Sequence, residues 1–337
     1  HVYAGVVDCV ETRYHLKDLP HTKTNVMINV ASDAAAYQWW RLPCRGIGLV
    51  RIDYIFQNII KVHPMALARF ETVTDDRIRY RIEALTQGYT DKKEYFIDRF
   101  SSCLAKIAAS RAPEPVIVRT SNLEPDEFER LVGGEIFERA TTARESGPKG
   151  VHRYRSVLYR EAFDLECEAI RRVRQDMGFT NLHLMIPHCE HIRDAEEILN
   201  ILAGNHIRRA DKGLKIYLCC DFASNLAFAE DFARLFDGFS LDIRKLPRWI
   251  EAGESILKDR FPAGPEAEIS MRKALEHMRN ACHDQTGSLT VRGRLFVDAA
   301  SLISILVDVG VDAISANPEA IPRVMEWIAD AEKKVIH

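Results

Sequence analysis

Eight short apolar runs, none strictly alternating and each followed by a helical pattern, constrain this chain more than any other feature. They fall at Thr24–Ala31, Gly46–Ile52, Pro115–Thr120, His183–Pro187, Lys215–Asp221, Gly238–Asp242, Leu289–Arg292 and Ala313–Asn317. A strand with one buried face alternates apolar and polar residues, whereas a parallel strand covered on both faces reads as a continuous Val/Ile/Leu run. Helical segments lie between the runs, as at Asp194–Ala203, Leu226–Phe236, Ile269–Gln285 and Ala299–Gly310. Eight such alternations close naturally as an α/β fold of the (β/α)8 TIM-barrel type. A length of 337 residues suits a barrel that carries insertions.

Two connections are oversized. The one after the second strand, His63–Ala112, contains helix-like Ala66–Phe70 and Tyr95–Ala109. The one after the third, Ser121–Thr180, contains the Gly/Pro-bearing stretch Gly133–Val151 and a long helix through Tyr159–Asp176. Long strand-to-helix connections lie over the mouth of a barrel, where sites are built. Residues 1–23 read as a linker from a preceding domain and 24–337 as the barrel; opening on His1 suggests a fragment or a processed chain.

A net charge of −3 argues against a nucleic-acid or membrane-surface role, which needs a basic excess. No apolar run approaches the roughly 18–20 residues that cross a bilayer, and His1–Pro20 lacks the pattern of a signal peptide. The eight cysteines are scattered without a Cys-x-x-Cys pair, and Cys219-Cys220 sits inside an apolar run as buried strand. A cytoplasmic protein is expected.

The strand ends place Arg51, Arg119, His188, Asp221, Arg244, Lys245, Arg292 and Asn317 at one barrel mouth. A single strand-end arginine can simply reach solvent. Several converging on one mouth favour an anionic ligand, because arginine binds phosphate or carboxylate through two parallel hydrogen bonds.

The run Cys44-Arg45-Gly46-Ile47-Gly48-Leu49-Val50-Arg51-Ile52-Asp53-Tyr54-Ile55-Phe56, followed by Val62-His63-Pro64, resembles the C-terminal barrel of the phosphoenolpyruvate-utilising enzymes, nearest to the phosphoenolpyruvate synthase branch. The resemblance continues through Val116-Ile117-Val118-Arg119-Thr120-Ser121, through Glu127 to Glu135 with its Leu131-Val132-Gly133-Gly134 core, and through Gly150-Val151-His152-Arg153-Tyr154. It implies that Arg51 and Arg119 contact a phosphoryl group. It also implies substrate contacts from Lys149, which stands where the family has arginine, and from Arg153, while Arg244, Lys245 and Asn317 are candidates for such contacts by their places at strand ends.

Three positions depart from the family pattern. Cys220-Asp221-Phe222-Ala223-Ser224-Asn225 has Asp221 for the first metal-binding glutamate. Asp242-Ile243-Arg244-Lys245 has Lys245 for the second carboxylate ligand, and an ammonium cannot replace the oxygens that Mg²⁺ needs. Asp221 is therefore the metal ligand only if a metal is retained, with Asp242 displaced by three positions. Val291-Arg292-Gly293-Arg294 has Arg292 for the cysteine that shuttles a proton at the substrate carbon, and arginine stays protonated at every working pH.

These losses sort chemically. Pyruvate must be enolised, which needs a metal for the enolate and an acid/base for the carbon-bound proton. A phenol is already a stable enol, as in phenylphosphate synthase, a branch similar to phosphoenolpyruvate synthase. The expectation is the acceptor domain of a phosphotransferase, taking a phosphoryl group from phosphohistidine onto an enol-like hydroxyl. His188 is the candidate base, or a hydrogen-bonded structural histidine. Phe222, Trp249 and Phe296 either wall an aromatic ring or pack. Still open are a divergent phosphoenolpyruvate synthase acting on pyruvate and a non-catalytic dimerisation scaffold. The chain has no ATP-grasp region and no mobile phosphohistidine motif. The resemblance thus implies a swivelling phosphohistidine domain and an ATP-grasp domain or subunit as partners, with Mg²⁺ and ATP used by the complete enzyme, no cofactor in this chain, and a homodimer.

Overall fold

A computed structural model describes residues 15–138, 148–251, 257, 267–293 and 300–335. Eight parallel strands pair in sequence order and the last closes on the first: β1 (Asn25–Val30), β2 (Ile47–Arg51), β3 (Val116–Arg119), β4 (Leu182–Ile186), β5 (Ile216–Cys220), β6 (Gly238–Asp242), β7 (Ser288–Arg292) and β8 (Ala313–Ala316). All eight lie within or one residue beyond the expected runs. The continuous apolar runs are explained by double burial. Met27, Leu49, Ile117, Met185, Tyr217, Cys219 and Ala313 form one cluster, while the residues between them join the larger core under the helices. The barrel interior is tight at Gly48, where a Cβ would meet Ser315 Oγ at 2.4 Å.

Helix ends follow local chemistry. The helix after the first apolar turn of the β2–β3 connection is Pro64–Ala68, earlier than expected, because Pro64 suits the first helical position and the His63 ring accepts the Met65 N–H. Lys92–Ala109 likewise starts where Asp91 caps it. The expected helix Leu226–Phe236 is two, Ala223–Ala227 and Ala229–Leu235, broken at Phe228. Asp76–Leu85 is a helix that the sequence pattern did not reveal.

The two insertions pack on each other rather than standing apart. Val62 and Val132 form a parallel bridge. Phe56 meets Phe96, Phe100 and Phe128 edge to face at ring separations of 5.6, 5.7 and 6.3 Å. The insertion after β3 contributes the short helix Gly150–Tyr154 and the longer Arg160–Arg171. Among the described residues no helix is long and apolar enough to cross a membrane.

Candidate functional site

Because every strand runs the same way, the residues at the strand ends share one rim. Arg51 closes β2 and lies in register with Arg119 at the end of β3. Asp242 and Arg292 are paired at the ends of β6 and β7. Asp221 follows β5 directly, His188 stands two residues beyond β4, and Asn317 follows β8 exposed to solvent.

Most of the cations on this rim already hold a carboxylate. Arg119 Nη2 donates to Asp53 Oδ2 at 2.9 Å, from the turn after β2. Lys149 pairs with Glu124. Lys245 Nζ meets Asp221 Oδ1 at 2.5 Å, and the other Asp221 oxygen accepts the His188 N–H at 2.9 Å. Arg244 grips Asp242 through Nε at 3.0 Å and Nη2 at 2.6 Å. Burial by itself would raise both aspartates, but these cations hold each below its ordinary range. Arg51 alone of the arginines and lysines expected at the site is exposed and without a side-chain partner among the described residues.

Arg292 is turned inward. Its guanidinium is buried, with Nη2 on Cys219 Sγ at 2.8 Å, Nε on Ser240 Oγ at 3.1 Å and Nη1 3.7 Å from Asp242. Cys219 in turn lies 3.5 Å from Asp221. One connected network therefore runs from His188 through Asp221, Cys219 and Arg292 to Asp242 and Arg244. Burial pushes the Cys219 thiol up to about 11, so it is a neutral packing group at neutral pH.

His188 has a left-handed backbone, φ 50°. The helix start at Gly150, φ 48°, presses against it: a Cβ there would lie 2.5 Å from His188 Cβ. Burial lowers the His188 imidazole from its ordinary 6.5, Asp221 opposing, so it is mostly neutral at pH 7. Its ring lies edge-on to half-buried Phe222 at 5.8 Å. Trp249 is buried as packing. Phe296 and Arg294 lie outside the described residues.

Arg153 takes a different place from the other expected residues. It is 3% exposed and clamped on Glu138 through two bonds, 2.6 and 3.0 Å. Its Nε donates to Pro148 O, and its guanidinium lies over the rings of Phe128 and Tyr159. His63 completes the cluster: Nδ1 accepts the Met65 N–H, so Nε2 carries the hydrogen donated to Glu138 at 3.1 Å. Arg153 thus joins the insertions rather than offering a free fork at the mouth.

The partners Asp53, Glu124 and Glu138 were not singled out from the sequence. Only Asp53 carried a signal, as the acidic residue of the Gly-x-Gly-Leu-x-Arg-x-Asp run. Both Asp221 oxygens and both Asp242 oxygens face cationic or N–H donors, and Lys245 places an ammonium on Asp221. Mg²⁺ needs such oxygens free; the arrangement does not fit it.

Comparison with known proteins places the chain in one family over nearly its whole length. Residues 8–333 match the family model described as the PEP-utilising enzyme, PEP-binding domain. The phosphoenolpyruvate synthase of Deinococcus radiodurans is 35% identical over 95% of this chain and 41% of its own length. Those of Synechocystis and Escherichia coli strain K12 are 32% and 31% identical over 98% and 99% of this chain. The chain spans about two fifths of the length of these curated relatives. It belongs to the PEP-utilising enzyme family, as a PEP-binding domain.

Proposed function

We propose that this barrel is the acceptor domain of a phosphoenolpyruvate-synthase-like phosphotransferase whose acceptor is a pre-formed enol-like hydroxyl, such as a phenol. The observation that carries this is the contact of Lys245 with Asp221 at 2.5 Å, a cation seated where family members hold a metal. The buried Arg292 in place of the cysteine supports it, because a phenol needs neither an enolate-binding metal nor a carbon acid/base. Phosphoryl transfer still needs positive charge around the equatorial oxygens. Arg51 provides it on the rim free of a carboxylate among the described residues, and Arg119, Lys149, Arg244 and Lys245 add donors whose charge is shared with their carboxylate partners.

The step is a displacement at phosphorus. The acceptor oxygen forms the new P–O bond, the P–N bond of a phosphohistidine on another domain or subunit breaks, and its electron pair returns to that imidazole. His188 takes the hydroxyl proton. A second function, phosphoenolpyruvate synthesis from pyruvate, is favoured by the names of the relatives.

Calorimetry on the chain with phenyl phosphate and with phosphoenolpyruvate separates these functions. Phenyl phosphate is expected to bind equally with Mg²⁺ or with EDTA. Binding of phosphoenolpyruvate alone, and only with Mg²⁺, would return the acceptor to pyruvate. Binding of neither would leave a scaffold. A separate titration with Mn²⁺, read by electron paramagnetic resonance, is expected to leave the ion's free signal undiminished at the barrel mouth. Replacing Lys245 by Asp should create Mn²⁺ binding that the parent lacks. A parent that already binds one Mn²⁺, lost in Asp221→Asn, would sink the metal-free mechanism.

A further inference from the structure

Beneath the end of β3 lies a buried polar cluster that the rim chemistry does not use. The helix Arg160–Arg171 projects Glu166, 1% exposed, whose Oε1 accepts the Ser121 N–H at 2.9 Å. Tyr154, stacked on Phe163 at 4.0 Å, takes the opposite side of the same residue: its hydroxyl donates to Ser121 O at 2.5 Å and meets Thr120 Oγ1 at 3.0 Å. Both backbone groups of Ser121 are thereby clamped, two residues after Arg119. The cluster also has unfilled hydrogen-bonding capacity. Glu166 Oε2, Asp53 Oδ1 and Arg119 Nε are buried without a well-formed bond among the described residues, and the Ser121 hydroxyl stands between Glu166 and Tyr159 without a well-formed bond to either.

We propose that Glu166 is a positioning residue for Arg119, coupling a proton held under the end of β3 to the strength with which the barrel mouth binds an anion. This rests on the phosphoryl-binding role of Arg119 proposed above. An ionised carboxylate needs donors for both oxygens, and beside the Ser121 N–H on Oε1 only the Ser121 hydroxyl is at hand, without a well-formed bond to Oε2; a protonated carboxyl needs only the N–H. Burial pushes Glu166 up to about 7, with the Ser121 contacts opposing and the Asp53 charge adding to the rise. The titratable groups acting on it are Asp53 beyond β2, Tyr154 and Tyr159 of the insertion, and Cys167 on its own helix. Burial holds the last three neutral at neutral pH. Asp53 is thus the charge that senses Glu166, and Arg119 is bonded to Asp53. Ionising Glu166 puts a second negative charge behind that pair and weakens its hold on an anion by roughly three- to tenfold at an effective protein dielectric.

Inorganic sulfate is the probe, since its charge is constant above pH 5. The wild-type affinity for sulfate is expected to fall from pH 6 to pH 8. In Glu166→Gln, which keeps the acceptor for Ser121 N–H and cannot ionise, it should stay at the pH 6 value. A ligand-free measurement decides the coupling separately. Glu166 binds its proton more tightly folded than unfolded, so its contribution is present below the ordinary 4.5 and is lost as pH rises through about 7. That step, read as the stability of wild type against Glu166→Gln or directly by carbon-13 NMR of the carboxyl, should move to higher pH in Arg119→Gln, which removes a nearby positive charge. Parallel loss of sulfate affinity in wild type and Glu166→Gln overturns the proposal, as does an unmoved midpoint in Arg119→Gln. Sulfate binding to neither protein, with the midpoint moved, instead overturns the phosphoryl role of Arg119 and keeps its coupling to Glu166.

Discussion

Replacing Arg153 by alanine is expected to destabilise the fold by about 3–5 kcal/mol, the range for breaking a buried ion pair from one side. The guanidinium holds Glu138 through two bonds and lies 4.4 Å from the centre of Phe128 and 5.1 Å from that of Tyr159. Its loss removes packing and charge compensation together. Glu138 shows the dependence. Burial by itself would raise its carboxyl, but the bonds from His63 and Arg153 hold it down to about 2. A carboxylate depressed in the folded state stabilises fully above its ordinary 4.5, and that contribution is lost as pH falls through about 2. The acid side of the stability curve should therefore flatten in Arg153→Ala. Urea melts between pH 3 and pH 7 measure both effects. The double replacement Arg153→Met with Glu138→Leu should be less damaging than Arg153→Ala, because neither member of the pair is left as an uncompensated buried charge. A loss under about 1 kcal/mol in the single variant would mean that Glu138 finds other compensation.

The barrel was legible because parallel strands covered on both faces leave an unbroken apolar run, and eight runs leave one natural closure. Helix starts were less so. His63, Pro64 and Asp91 act through local capping that periodicity does not register, and the break at Phe228 leaves no mark in the apolar pattern. At the rim the cations, and Asp221 with them, could be read from strand ends, but which groups pair could not. Asp53 lies 66 residues from Arg119, Asp221 lies 24 from Lys245, and Cys219 lies 73 from Arg292. Such pairs exist only once the barrel closes. A row of arginines in sequence therefore looked like a ring of free cations, whereas folding neutralises most of it and turns Arg292 into the interior. Arg153 shows the same effect more strongly: the motif marks the residue, but its carboxylate partner sits in an insertion 15 residues away, and only the fold shows that the pair is buried.

Arg51 and Arg119 should divide function from stability differently, although both end adjacent strands. Arg51 is exposed and holds no partner among the described residues, so Arg51→Ala should change stability by less than about 0.5 kcal/mol, as for surface positions. If it stabilises the transferring phosphoryl group, turnover of the complete enzyme should fall on the order of 10²–10³-fold, the usual effect of losing one electrostatic donor. Arg119→Ala should lose as much turnover and some stability as well, because Asp53 is left with its Oδ1 already unbonded and without its ion-pair partner among the described residues. His188→Ala should lose less, with a change in pH profile. Burial lowers the His188 imidazole from 6.5, so the wild-type acid limb should lie below that value and vanish in the variant. Steady-state rates from pH 5 to pH 8, paired with urea melts, test all three. Unchanged turnover in both arginine variants would leave the barrel as a scaffold. An acid limb that survives His188→Ala would assign the proton to another group.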